Sequence, residues 1–249
     1  MNRRIISMLV TFLIVSILMV ACGGTSEKYQ VATDATWPPF EVVDEATKEI
    51  IGFDIDMMEA IAERGGFEVE FVNVGWDPLL AGMAQCQYDA AISAMTITEE
   101  RKKSFLFSDP YFEAGQIVTV QSDNTEIMGK DDLVGKTVGA QIGTTGAIEI
   151  EKIDGAILKT YDDIGLAFQD LMNGQIDAIV ADNPLALGYV GANPKDLKTA
   201  GAVFTDESYG IAVCKDNTEL VEMINKGLAA VKEEGLIDSF TVKWIGGNQ

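Results

Sequence analysis

From Tyr29 onward, segments of strand-like composition alternate with segments of helical hydrophobic spacing, and the alternation runs through once and restarts at Thr137. That order constrains the chain more than any other feature. Strands separated by helical crossovers pair in parallel, and a parallel sheet needs helices on its faces. Residues 29–35, 67–74 and 88–95 read as the first three strands. Asp54 is placed to cap a helix over 55–64, with Ile55, Met58, Ile61 and Ala62 on one face and Gly65-Gly66 as its stop; 78–85 forms a short helix. Thr98 reads as the N-cap of a helix over 99–105. In the second run 137–141 is strand, 143–146 a loop opening a helix, 165–173 a helix stopped by Gly174, and 178–181 a buried strand. A strand over 209–213 follows. Leu220, Met223, Ile224, Gly227, Leu228 and Val231 then mark a helix, and 236–244 closes the pattern. With 249 residues, the chain suits two modest α/β lobes.

Charge excludes whole classes of partner. The 18 basic side chains face 39 acidic ones, a formal net charge of -21, so nothing on such a surface could release the counterions of a phosphate-rich partner, and nucleic acid is effectively excluded. Histidine is absent, which removes Ser-His-Asp and Cys-His nucleophile pairs and every imidazole metal site. No cofactor or metal is expected.

The N-terminus reads as an export address. Arg3 and Arg4 precede an apolar run over 5–21, and Cys22-Gly23-Gly24 follows at once. Met19-Val20-Ala21-Cys22 resembles the lipobox of bacterial lipoproteins, which implies lipidation of Cys22 and anchoring to the outer face of the membrane. Residues 1–21 would then be signal peptide and 22–28 a lipidated tether, leaving a protein outside the cytoplasm. Cys86 and Cys214 remain, in a compartment where a disulfide is allowed; a bridge and two buried thiols are both open.

Four motifs carry a resemblance over nearly all the rest of the chain. They are the 32–41 segment ATDATWPPFE, Gly52-Phe53-Asp54-Ile55-Asp56, Thr96-Ile97-Thr98-Glu99-Glu100-Arg101-Lys102 and Phe107-Ser108-Asp109-Pro110-Tyr111. With Gly143-Thr144-Thr145-Gly146, Asp177-Ala178 with Asp182, and Lys243-Trp244, the chain resembles the polar amino-acid solute-binding proteins of bacterial ABC importers (family 3), in lipoprotein form. The resemblance implies an α/β two-lobe periplasmic-binding-protein clamp, each lobe a mostly parallel sheet flanked by helices, joined by two hinge strands. Lobe 1 would be 29–115 plus 209–249 and lobe 2 would be 116–208. The ligand lies in the cleft between them, and the lobes close on it.

A free amino acid presents a carboxylate and an ammonium, and a dry cleft has to satisfy both. The resemblance assigns the carboxylate to Arg101, whose guanidinium fork matches it with two parallel hydrogen bonds, aided by Thr96, Thr144 and Thr145. It assigns the ammonium to Asp182 and the backbone carbonyls at Ser93 and Ala94. Side-chain selectivity falls to Asp34, Trp37, Trp76 and Gln141. Two indole faces and a carboxylate favour a flat cation, so arginine is the first choice. Gln141 stands where some glutamine-binding relatives carry Lys, which weakens the glutamine alternative. The expected partner is an ABC permease in the membrane, and a monomer is expected. An enzyme, such as a dehydratase on the same scaffold, lacks an evident acid–base pair; a sensory lobe is the third class.

Overall fold

A computed structural model describes residues 28–246. The signal segment, Cys22 and the tether up to residue 27 lie outside them. In chain order the first half holds β1 (Tyr29–Thr33), the short strands β2 (Thr36–Trp37), β3 (Glu41–Val43) and β4 (Ile50–Ile51), α1 (Phe53–Gly65), β5 (Val69–Asn73), α2 (Trp76–Ala84), β6 (Ala90–Ala91) and β7 (Phe105–Phe107). After β8 (Phe112–Ala114) come β9 (Gln116–Gln121), β10 (Thr137–Gln141), α3 (Thr145–Glu151), β11 (Ile157–Tyr161), α4 (Ile164–Met172), β12 (Ala178–Asp182), α5 (Asn183–Ala192) and β13 (Leu197–Ala200). The chain ends with β14 (Glu207–Tyr209), β15 (Ala212–Cys214), α6 (Thr218–Glu233) and α7 (Leu236–Trp244).

Two five-stranded sheets result, ordered β5-β1-β6-β15-β7 and β11-β10-β12-β9-β13. In each, four strands run the same way and one, β15 or β9, runs against its two neighbours, the mostly parallel α/β pattern that alternation implies. Every residue of β12 is buried, as its continuous apolar run requires of a strand covered on both faces. The ribbon β8–β14 stands between the two sheets, pairing Glu207 with Ala114 and Tyr209 with Phe112.

Close approach holds the C-terminal helices on the first sheet. A Cβ on Gly227 of α6 would stand 2.2 Å from the Ile61 carbonyl oxygen of α1, so only glycine lets these backbones meet. Lys243 and Trp244 of α7 both bond Asp56 of α1, at 2.6 and 2.7 Å. Cys86 and Cys214 are joined as a disulfide, with Cα atoms 5.0 Å apart, tying the end of α2 to β15.

Four local expectations are corrected. The helix expected over 99–105 is a single 3-10 turn at Arg101–Lys103; Thr98 Oγ1 still accepts the Arg101 amide at 3.1 Å, and the chain then enters β7. The strand expected over 88–95 pairs only at Ala90–Ala91, because the chain leaves the sheet before Ala94, whose φ is 43°. The strand over 209–213 breaks into β14 and β15 at Gly210 and Ile211. Asp54 does not cap α1: the helix begins two residues earlier than expected, at Phe53, and the Asp54 side chain turns inward.

Candidate functional site

Parallel strands deliver their carboxyl ends to one place, where open α/β sheets put ligands. Asp34 follows β1, Ser93 and Ala94 follow β6, Gln141 ends β10 and Asp182 ends β12. These residues line one cavity with Trp37 from β2, Trp76 from α2, Thr96, Arg101 from the 3-10 turn, and Thr144 and Thr145 at the start of α3. All eleven residues singled out in the sequence therefore meet at one point between the sheets.

The cavity's wall is drawn from both sheets, and direct bonds cross between them. Gln141 Nε2 donates to Asp34 Oδ2 at 2.9 Å, and Arg101 Nη2 donates to the Gly143 carbonyl at 3.2 Å. Arg101 Nη1 donates to the Thr96 carbonyl at 2.8 Å, and its guanidinium lies 5.0 Å from the Trp76 ring centre. Two carbonyls thus aim the guanidinium and leave most of its five N–H donors for other acceptors. Burial lowers its pKa to about 10, and the nearby carboxylates of Asp182 and Glu207 offset part of that loss.

The acidic groups are equally constrained. Burial raises Asp34, against the hydrogen bonds it accepts from Gln141 and Thr36. Asp182 takes the Tyr209 hydroxyl and Gln116 Nε2; burial first, then repulsion from Glu207, lift it to about 6. It stands at the N-cap position of α5, but its side chain makes no cap bond there. Ser93 Oγ accepts the Asp34 amide at 3.0 Å and donates to Glu41 Oε1 at 2.8 Å, so its hydroxyl faces the protein and not the cavity. Thr144 Oγ1 is likewise committed to the Gln141 carbonyl and the Ala147 amide. Among the described residues, Trp37 Nε1, Trp76 Nε1 and Gln141 Oε1 are buried polar atoms with no partner.

The family model of the bacterial extracellular solute-binding proteins, family 3, matches residues 29–247. The chain belongs to that family. It is 34% identical over 248 residues to a probable histidine-binding protein of Neisseria gonorrhoeae, covering 92% of this chain and 91% of the relative. Against the ABC transporter arginine-binding protein 1 of Escherichia coli (strain K12) the identity is 36% over 229 residues, covering 90% and 93%. A solved ancestral arginine-binding protein, bound to glutamine, superposes with a TM-score of 0.83 at 45% identity over 88% of this chain and 98% of that one. The family-3 chain is a solute-binding component of an amino-acid ABC importer, works outside the cytoplasm, and is not an enzyme.

Several polar residues around this family-3 cavity escape sequence reasoning. Glu41 and Asp54 are fully buried behind Ser93 and Ala94, in mutual contact. Asp54 holds the Ala94 amide at 2.7 Å and the Tyr111 hydroxyl at 2.9 Å. Burial pushes Glu41 well up and Asp54 to about 7, and repulsion from Asp54 adds to the rise in Glu41. Gln116 and Glu207 join the threonines from outside the cavity. The only signal for these residues was their place inside matched motifs or at an expected hinge strand.

Proposed function

We propose that this protein captures arginine, or a closely similar basic L-amino acid, by closing its two lobes on it, and hands it to the permease. The observation carrying this reading is the charge of the cavity wall. One cation, Arg101, faces two buried carboxylates, Asp34 and Asp182. Arg101 and Asp182 match the carboxylate and ammonium of any amino acid. Asp34 is left over, and burying it is costly unless the ligand brings a second positive charge. Its carboxylate and the unpartnered Gln141 Oε1 are acceptors on a wall that also carries two indoles, a combination suited to a guanidinium. In this reading Ser93 and Ala94 offer carbonyls to the ammonium, Thr96, Thr144 and Thr145 adjoin the ligand carboxylate, and the lobes divide as 29–115 with 209–249, and 116–208.

Glutamine is the second reading, favoured by the indole N–H groups of Trp37 and Trp76, which could serve a side-chain carbonyl. A thermal-shift screen over the proteinogenic amino acids, ornithine and citrulline separates the two. Stabilisation grows as RT ln(1 + [L]/Kd), so arginine should raise the melting temperature most and its neutral isostere citrulline much less. A larger response to glutamine or to an acidic amino acid refutes the arginine reading. Arg101→Ala should abolish binding in calorimetry. We further assign the lipid anchor to Cys22 and a monomeric state; Cys22→Ala should release the protein from membranes, and scattering mass should be that of one chain.

A further inference from the structure

We propose that Glu207 is an interlobe clasp, a positioning residue whose one carboxylate binds a threonine hydroxyl from each side of the cleft and prolongs the closed state. The inference rests on the reading of the cavity as an amino-acid clamp, and it adds a residue outside the cavity lining. Thr96 and Thr145 line both the cavity and an open groove beside the β8–β14 ribbon, and Glu207 lies in that groove. Glu207 Oε2 accepts from Thr96 Oγ1 at 2.8 Å and from Thr145 Oγ1 at 2.9 Å, while Oε1 accepts from Thr205 Oγ1 at 2.8 Å.

The backbone says which way the clasp reaches. The Ile97 amide donates to the Ser208 carbonyl at 2.8 Å, and Thr96 bridges Tyr209, so β14 is fastened to the Thr96 side. Thr145 opens α3, which packs on the other sheet; Glu207, near the end of the 116–208 segment yet on a strand fastened to Thr96, stands at the seam, and opening separates its two threonines. Thr145 Oγ1 also accepts Gln116 Nε2 at 3.0 Å, and Gln116 Nε2 reaches Asp182 at 2.6 Å. A continuous chain of hydrogen bonds thus joins the Arg101 end of the cavity to the Asp182 end through Glu207. A hydroxyl has one proton to give, and here both threonines give it to Glu207. Hydrogen bonds to a charged acceptor are the strong kind, so one carboxylate with two hydroxyls can bias a lobe equilibrium that few other direct bonds hold.

The test uses the mature chain with nitroxides at Glu70→Cys and Asp154→Cys, one on each lobe, and reads the interlobe distance distribution by pulsed electron resonance without amino acid. Glu207→Ala should shift population to longer distances, and the shift should vanish in a Thr145→Val background, a coupling that a merely structural role would not show. Stopped-flow release of arginine should be about tenfold faster in Glu207→Ala, with association unchanged. A distance distribution unaltered by Glu207→Ala overturns the clasp, as does an effect that persists fully in Thr145→Val. Slower release also overturns it, because Glu207 would then be competing with the ligand carboxylate for the same hydroxyls. If wild type binds no amino acid in the screen, the arginine reading fails on its own, and the ligand-free distances still decide the clasp.

Discussion

Replacing Asp34 with asparagine removes one charge from the cavity and little else, so it isolates what that charge contributes. Asp34 is 3% exposed, and its two oxygens take Thr36 Oγ1 and Gln141 Nε2 at 2.9 Å each. An asparagine oxygen can keep one of these bonds, so the wall should persist. For arginine, the lost partner is a charge-assisted contact worth about 1.5–3 kcal/mol, and a guanidinium left unpaired in a dry cavity raises the loss to about 3–5 kcal/mol. At 1.4 kcal/mol per tenfold, arginine affinity should fall by roughly 100-fold to 4,000-fold. Glutamine presents a neutral amide there and loses at most one neutral hydrogen bond, about 0.5–1.5 kcal/mol, so its affinity should drop by about tenfold or less. Calorimetric titration of both ligands into wild type and Asp34→Asn, at one salt concentration and pH 7.5, measures the two losses side by side. Equal losses for the two ligands would refute the charge-pairing argument, since only a charge distinguishes them at this position.

Three further outcomes follow from the fold. Reducing the Cys86–Cys214 bridge, which spans 128 residues of sequence, should destabilise the protein by about 4–5 kcal/mol in the chain-entropy account, and an unchanged denaturant midpoint under reductant would contradict that. Gly227→Ala forces a methyl against the Ile61 backbone and should cost about 1–3 kcal/mol, read as a lower urea midpoint; a neutral effect would show that α1 and α6 slide apart freely. Asp54 carries a folded pKa raised from 3.8 to about 7, so its contribution to stability is fully present below about pH 4 and is lost as pH rises through 7. The melting temperature should therefore fall from pH 5 to pH 8, with a shallower fall in Asp54→Asn; a wild-type value that rises over this range would reverse the assignment.

What could be read locally was read well where one face of an element is buried. Leu220, Ile224, Gly227, Leu228 and Val231, which marked a helix, form the buried face of α6, and the strand expected over 137–141 is β10 to the residue. The 99–105 expectation failed for a physical reason. A cap at Thr98 and a run of helix-forming Glu, Arg and Lys suit a helix, but Arg101 is drawn inward to the Thr96 carbonyl and Phe105 is needed in β7 beside β15. Asp54 failed as a cap for a related reason, since its side chain is required under Ala94 and not at the helix end.

By itself the sequence determined the alternation that makes two α/β sheets, the acidic balance that argues against nucleic acid, and the ordered motifs that hold seven of the cavity residues, with Trp76, Ser93, Ala94 and Gln141 added by the resemblance those motifs carry. Only the tertiary structure decided that Cys86 meets Cys214, that Glu41 is buried beside Asp54, and that Glu207 reaches Thr96 and Thr145. The reason is sequence distance. Periodicity and capping act over a few neighbouring residues, whereas Glu207 lies 111 residues from Thr96 and 62 from Thr145, and nothing local records which side chains a closed cleft will bring within 3 Å.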